Sequence, residues 1–170
     1  NGFKSGRECG IEKHDKQTLA GMVIFIGDIH GMGLNVRQGL TFTTAFYWDE
    51  NDDTRKFARK FQARVGKMPY QTHASIYSST LHYLNAVKAA GTDNTQQVMR
   101  KMKDTPVDDF FSRGGRIRED GLLAHDLLLV QVKKPSESKG AWDYYKIVQK
   151  IPASDAYRPE SQSTCPLLKR

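Results

Sequence analysis

At 170 residues, 38% of them hydrophobic and 26% charged, the chain can bury one sizeable core and lacks the composition of a disordered protein. No apolar stretch approaches the roughly 20 residues a membrane helix needs, while the net charge of +7 raises the question of a nucleic-acid or other anionic partner. The chain starts at Asn1 with neither an initiator Met nor the basic-then-apolar profile of a secretory leader, so a processed or truncated product is expected.

Residues 1–10 read as the tail of a helix closed by Gly10. A buried strand is predicted over 20–26, because Met22 to Ile26 run apolar without alternation, as in a parallel strand covered on both faces. It should empty into a tight loop, Gly27-Asp28-Ile29-His30-Gly31-Met32-Gly33, at the strand end where open α/β sheets collect ligands. Leu40 to Thr44 has the β-branched and aromatic content of another strand, and the aromatic patch Phe46-Tyr47-Trp48 follows. Asp49 or Asn51 can cap the next helix, with Asp52 and Asp53 in its first turn complementing the dipole and Gly66 and Pro69 stopping it. A longer helix is expected over 72–90, with Ile76, Tyr77, Leu81, Leu84 and Val87 sharing one face and Gly91 ending it. Thr92 to Thr95 offers caps for a third helix, closed by Pro106. Beyond Phe111 the period becomes extended. Asp120-Gly121 marks a hairpin turn, strands follow over 122–132 and 142–151, and the tail from Pro152 wraps irregularly.

Several groups carry chemistry worth weighing. Gly27-Asp28-Ile29-His30-Gly31 matches the opening motif of calcineurin-like metallophosphatases, but a two-metal site needs further carboxylate, Asn and His ligands, and neither a GDxxDRG nor a GNH segment occurs. No GxSxG, HExxH or Walker A pattern points to another enzyme, and no cofactor or metal is implied. The basic cluster Arg55, Lys56, Arg59, Lys60, Arg64 and Lys67 alternates with Phe57, Phe61 and Val65 at helical spacing, so it reads as the wet face of an amphipathic helix rather than a nucleic-acid site. Cys9 and Cys165 lack CxxC spacing, which argues against a zinc ribbon. They can pair in an oxidising compartment, or one can bond a cysteine outside this segment. His73, His82 and His125 are isolated, and His14 lies in a charged stretch expected to face water.

The residues in this order resemble the C-terminal part of ABC importer substrate-binding proteins, the type I periplasmic binding proteins of the branched-chain amino acid receptor group. Carrying the resemblance are Gly39-Leu40, Tyr47-Trp48-Asp49, Phe57-Ala58, Gly66-Lys67-Met68-Pro69, Tyr77-Ser78, Tyr83-Leu84 and Ala86 to Gly91. Gly115 to Arg118, His125-Asp126, Val132 to Lys139 and Trp142 to Lys146 extend it over nearly the whole chain. It implies an α/β fold with parts of two Rossmann-like lobes joined by crossover strands. Residues 1–45 would belong to the second lobe, 46–126 to the first with a crossover at 45–49, and 127–170 would return to the second. The N-terminal portion would be missing, leaving apolar stripes to be covered by it or by another chain. The implied function is periplasmic capture of a small organic solute, an amino acid or a carboxylate or aromatic acid, for an ABC permease of the inner membrane. That function involves no nucleic acid and no bond-making.

The candidate ligand residues are Asp28 and His30, an acceptor and a switchable donor at a strand end. Gly31 and Gly33 can bare backbone N–H groups toward a carboxylate. Tyr47 and Trp48 stand where the family chain crosses between lobes, and Tyr77 completes the set although its place near a helix start reads first as core.

Overall fold

The computed structural model describes residues 2–11, 17, 19–166 and 168. In chain order its first elements are α1 (Gly2–Glu8), β1 (Ala20–Gly21), α2 (Ile26–Met32), α3 (Leu34–Arg37), β2 (Thr41–Thr44) and α4 (Asp52–Val65). There follow α5 (Gln71–Ala90), α6 (Thr95–Asp104), β3 (Arg116–Ile117), β4 (Leu123–Ala124), β5 (Leu127–Val132), β6 (Tyr145–Ile151) and α7 (Ala153–Ala156). His14 lies outside the described residues.

Contacts divide the chain into two units, one of residues 1–71 with 128–150 and one of residues 72–127 with 151–170. The first holds a four-stranded sheet in the order β1-β2-β5-β6. β1 runs parallel to β2, with Ala20 opposite Thr41, and β2 runs antiparallel to β5, with Phe42 opposite Val130. Leu128, Val130 and Val132 alternate into the core with Ile26, Ile29, Leu40 and Phe42, the period-two burial of a strand with one covered face. In the same unit α4 begins as the sequence indicates. Asn51 caps it by accepting from the N–H groups of Asp53 and Thr54, and Gly66 ends it in the left-handed conformation at φ 77°. The basic side chains Lys56, Arg59, Lys60, Arg64 and Lys67 are exposed, while Arg55 bridges Asp49 and Asp52. The apolar stripe of this helix is less covered than its spacing suggests: Ala58 and Thr54 are buried, Phe57 and Phe61 half-buried, and Val65 exposed.

The strand predicted over 20–26 is corrected. Only Ala20 and Gly21 pair, Met22 and Val23 are 93% and 67% exposed, and the GDIHG segment is helical rather than a loop. The physical cause is visible in α2: Ile26 and Ile29 stand one helical turn apart on a single face and are both buried. Asp28 sits at the third helical position and its Oδ2 accepts the Phe25 N–H at 2.9 Å, which satisfies a donor at the helix start.

In the second unit α5 buries the side of Ala74, Ser78, His82 and Ala86, four-residue spacing along one helical stripe. His82 Nε2 lies 3.0 Å from the Met102 carbonyl of α6. The opposite face carries Ile76, Tyr77, Leu81, Tyr83 and Leu84, and all five are exposed. Reading Tyr77 as core is therefore corrected: the small side chains allow close packing, and the large ones face outward. β3 and β4 form the hairpin marked by Asp120-Gly121, Gly121 turning at φ 84°. His125 packs at a tilt against Phe111 and edge-on to Tyr157, with the Tyr157 hydroxyl 3.3 Å from its Nε2.

Candidate ligand site

The segment Trp142-Asp143-Tyr144-Tyr145, four consecutive buried residues of the first unit, gathers most of the candidate residues. His30, exposed on α2, lays its imidazole over the Trp142 indole with ring centroids 4.0 Å apart and planes 9° from parallel. Its Nδ1 is 2.7 Å from the Tyr144 hydroxyl. Trp142 holds φ at 71°, the one non-glycine at positive φ among the described residues. A bulky residue adopts that conformation only where its surroundings over-determine it, and such positions gather at functional sites. Here the surroundings are on either side: the Trp48 indole N–H donates to the Trp142 carbonyl at 2.7 Å, and Asp143 is tied at both carboxylate oxygens.

Asp143 accepts from Lys133 Nζ at one oxygen and from the Lys139 backbone N–H at the other, and the Tyr47 hydroxyl donates to it at 3.4 Å. Burial pushes its carboxyl up, but the bonds from Lys133 and Lys139 and the Lys133 charge outweigh that and hold it below the usual carboxylate range. Tyr47 moves the other way. Burial, and next the negative charge of Asp143, push its phenol above the ordinary tyrosine range. Tyr145 is raised as well, by burial first and then by the charges of Tyr47 and Asp28, so both phenols stay neutral across the physiological range.

Behind this segment a small pocket is lined by Ile24, Phe25, Phe46, Tyr47, Trp48, Tyr70 and Tyr145. The Tyr145 hydroxyl is buried there without a hydrogen-bond partner, and an orphaned buried donor is costly unless something meets it. The space accommodates about one water-sized group. The edge of His30 is open to solvent, whereas Tyr145 is buried.

The structure brings His30, Tyr47 and Trp48 to one segment but separates the pair that the sequence placed in a loop. On α2, Asp28 and His30 are two residues apart, roughly 200° around the axis, so their side chains do not face each other. Gly31 is helical, and Gly33 follows α2 at φ 77°. Tyr77 belongs to the second unit, on α5, with the Phe110 ring 5.8 Å away. Sequence reasoning missed Trp142, Asp143, Tyr144, Tyr145 and Lys133. The density of aromatic residues after Gly140 is a signal that something is packed there, but their partner His30 lies 114 residues from Tyr144. Cys9 and Cys165 are free thiols.

A profile of the periplasmic binding proteins matches residues 1–141. Among solved structures, a periplasmic binding protein from Burkholderia mallei is 42% identical, with a TM-score of 0.89 over 98% of this chain and 44% of that one. A branched chain amino acid ABC transporter periplasmic ligand-binding protein from Burkholderia xenovorans is 41% identical, with a TM-score of 0.90 over 97% of this chain and 44% of that one. A leucine-, isoleucine-, valine-, threonine- and alanine-binding protein from Brucella ovis, 18% identical, shares the fold with a TM-score of 0.74 over 95% of this chain and 43% of that one. The chain thus spans less than half the length of these structures. No curated protein sequence matches significantly.

Proposed function

The chain belongs to the periplasmic binding protein family, and we propose on that premise that it serves in the solute-binding component of an ABC importer. Its α/β fold is of the type I class, alike over nearly the whole chain in relatives above 40% identity. The protein captures a small organic solute, an amino acid or a carboxylate or aromatic acid, outside the cytoplasm and delivers it to a permease of the inner membrane. Binding, not bond-making, is its task. Among the described residues no helix is long and apolar enough to cross a membrane.

The observation that carries the reading is His30, an exposed imidazole seated on Trp142 and Tyr144, within the same buried segment to which Tyr47 and Trp48 hydrogen-bond. An aromatic surface with a few fixed polar groups is what a small-molecule site requires. Asp28 remains a second candidate and Tyr77 a more remote one. In this proposal residues 1–45 and 127–170 belong to one lobe and 46–126 to the other. That division and the contact units differ at α4, which groups with the sheet unit, and at α7 and the tail beyond it, which group with residues 72–127. The solute, held between lobes, stabilises a closed form through contacts to both.

The phosphoesterase alternative loses ground to the helical geometry of α2, which points its two motif side chains apart. Native mass spectrometry should find a co-purified small molecule carrying a carboxylate. Calorimetry with that molecule should then show His30→Ala binding roughly ten- to a hundredfold more weakly, the loss of one hydrogen bond to a charged group. Unchanged binding in folded His30→Ala and Asp28→Ala variants sinks the site. Metal-dependent turnover of an aryl phosphate that disappears in Asp28→Asn would restore the alternative.

A further inference from the structure

We propose that Tyr144 and Trp142 are positioning residues for His30: they fix its imidazole as the Nε2–H tautomer and turn that N–H outward, where it donates to a carboxylate oxygen of the solute. The inference rests on the solute-binding reading and adds the state of the ring and the residues that set it. A neutral imidazole has one donor and one acceptor nitrogen, and the bond made by one decides the role of the other. Nδ1 stands 2.7 Å from the Tyr144 hydroxyl. A phenol O–H is a strong donor and an imidazole nitrogen a strong acceptor, so the proton of this contact sits on Tyr144 and the ring proton sits on Nε2. Among the described residues nothing bonds Nε2, and His30 is exposed.

Trp142 removes the remaining freedom. Its indole lies under the imidazole at 4.0 Å and 9°, and a ring flip on that surface would break the bond to Tyr144 and carry Nε2 inward. The platform is itself held, by the Trp48 N–H on the Trp142 carbonyl and by Lys133 and Lys139 on Asp143. A left-handed backbone at Trp142 is the cost of presenting the indole from that position. A donor fixed in this way selects an acceptor, and an ionised carboxylate makes the strongest such bond.

The test is a long-range proton–nitrogen NMR correlation on the full chain, at a pH where the ring is neutral. The expected spectrum has His30 Nε2 protonated, Nδ1 unprotonated and hydrogen-bonded, and the ring protons shifted upfield by the Trp142 ring current. Tyr144→Phe should move Nδ1 to the position of an unbonded nitrogen, and Trp142→Phe should shrink the upfield shift. With acetate as the probe, Nε2 should respond on titration, and half-saturation should need roughly two- to tenfold more acetate in Tyr144→Phe, the loss expected for one hydrogen bond. A proton on Nδ1 in the parent chain, or a Tyr144→Phe variant that leaves Nδ1 unmoved, overturns the positioning role. Acetate without effect on a correctly fixed Nε2–H overturns the solute contact, and with it the reading of His30 as a ligand residue, while the platform stands.

Discussion

Asp143 and Tyr47 share a hydrogen bond and respond to opposite ends of the pH scale. The carboxyl of Asp143 is buried, yet Lys133 and Lys139 hold it below the usual range. A group depressed in the folded state contributes stability that is present above its unfolded value, about 4, and lost as pH falls through the folded one. Urea titrations at successive pH values should therefore show the chain weakening below about pH 4, and Asp143→Asn should flatten that acid limb. The same substitution should cost about 3 kcal/mol at neutral pH, because it leaves Lys133 half-buried and without its charge partner. For Tyr47 the folded value is raised, so its contribution is complete below the ordinary phenol value of about 10 and is lost as pH climbs above it. Tyr47→Phe should remove part of the alkaline decline and, because the Tyr47 hydroxyl also helps hold the Asp143 carboxyl down, soften the acid limb by less than Asp143→Asn does.

Helix ends are the elements whose cost can be stated most directly. Asn51→Ala deprives the Asp53 and Thr54 N–H groups of their acceptor and should destabilise the chain by about 1 kcal/mol in chemical denaturation. Gly66→Ala, placed at φ 77° with open space around it, should cost a similar amount, about 1 kcal/mol, through backbone strain alone. Both ends were legible in the sequence because capping chemistry lies within four residues of the position it controls. The helices over 71–90 and 95–104 and the hairpin at Asp120-Gly121 were legible for the same reason. α2 was not. A five-residue apolar run fits a buried strand or a helix start equally well, and the choice fell to the burial of Ile26 and Ile29 against a core built partly from residues 128–145. The site divides in the same manner. His30, Tyr47 and Trp48 stand out by chemistry alone, whereas the platform beneath His30 depends on contacts between distant parts of the chain, which no local pattern encodes.

At the scale of the whole molecule, the outward side of α5 groups five exposed large apolar side chains on one helix. Ile76 at 60% exposure and Leu84 at 55%, with Tyr77, Leu81 and Tyr83 between them, form an apolar face of the kind that binds partners or dyes. The chain should bind a hydrophobic fluorescent probe and associate with itself at high concentration. Ile76→Gln with Leu84→Gln should reduce both in fluorescence and light scattering while changing stability by no more than about 0.5 kcal/mol per site. Ala86→Leu, on the covered side, should instead cost about 1 to 3 kcal/mol by overpacking. Stability unaffected by Ala86→Leu, or lost with Ile76→Gln, would reverse the two faces. The first unit, meanwhile, is assembled from two separate stretches of chain, 1–71 and 128–150. β2 and β5, its antiparallel partner, are separated in the chain by the whole of α4, α5 and α6, so Phe42 can meet Val130 only by closing a long loop. Pairing across so long an interval is slow. Until the Trp142 segment has joined the first unit, His30 has no surface to rest on, so the candidate site is among the last parts of that unit able to form.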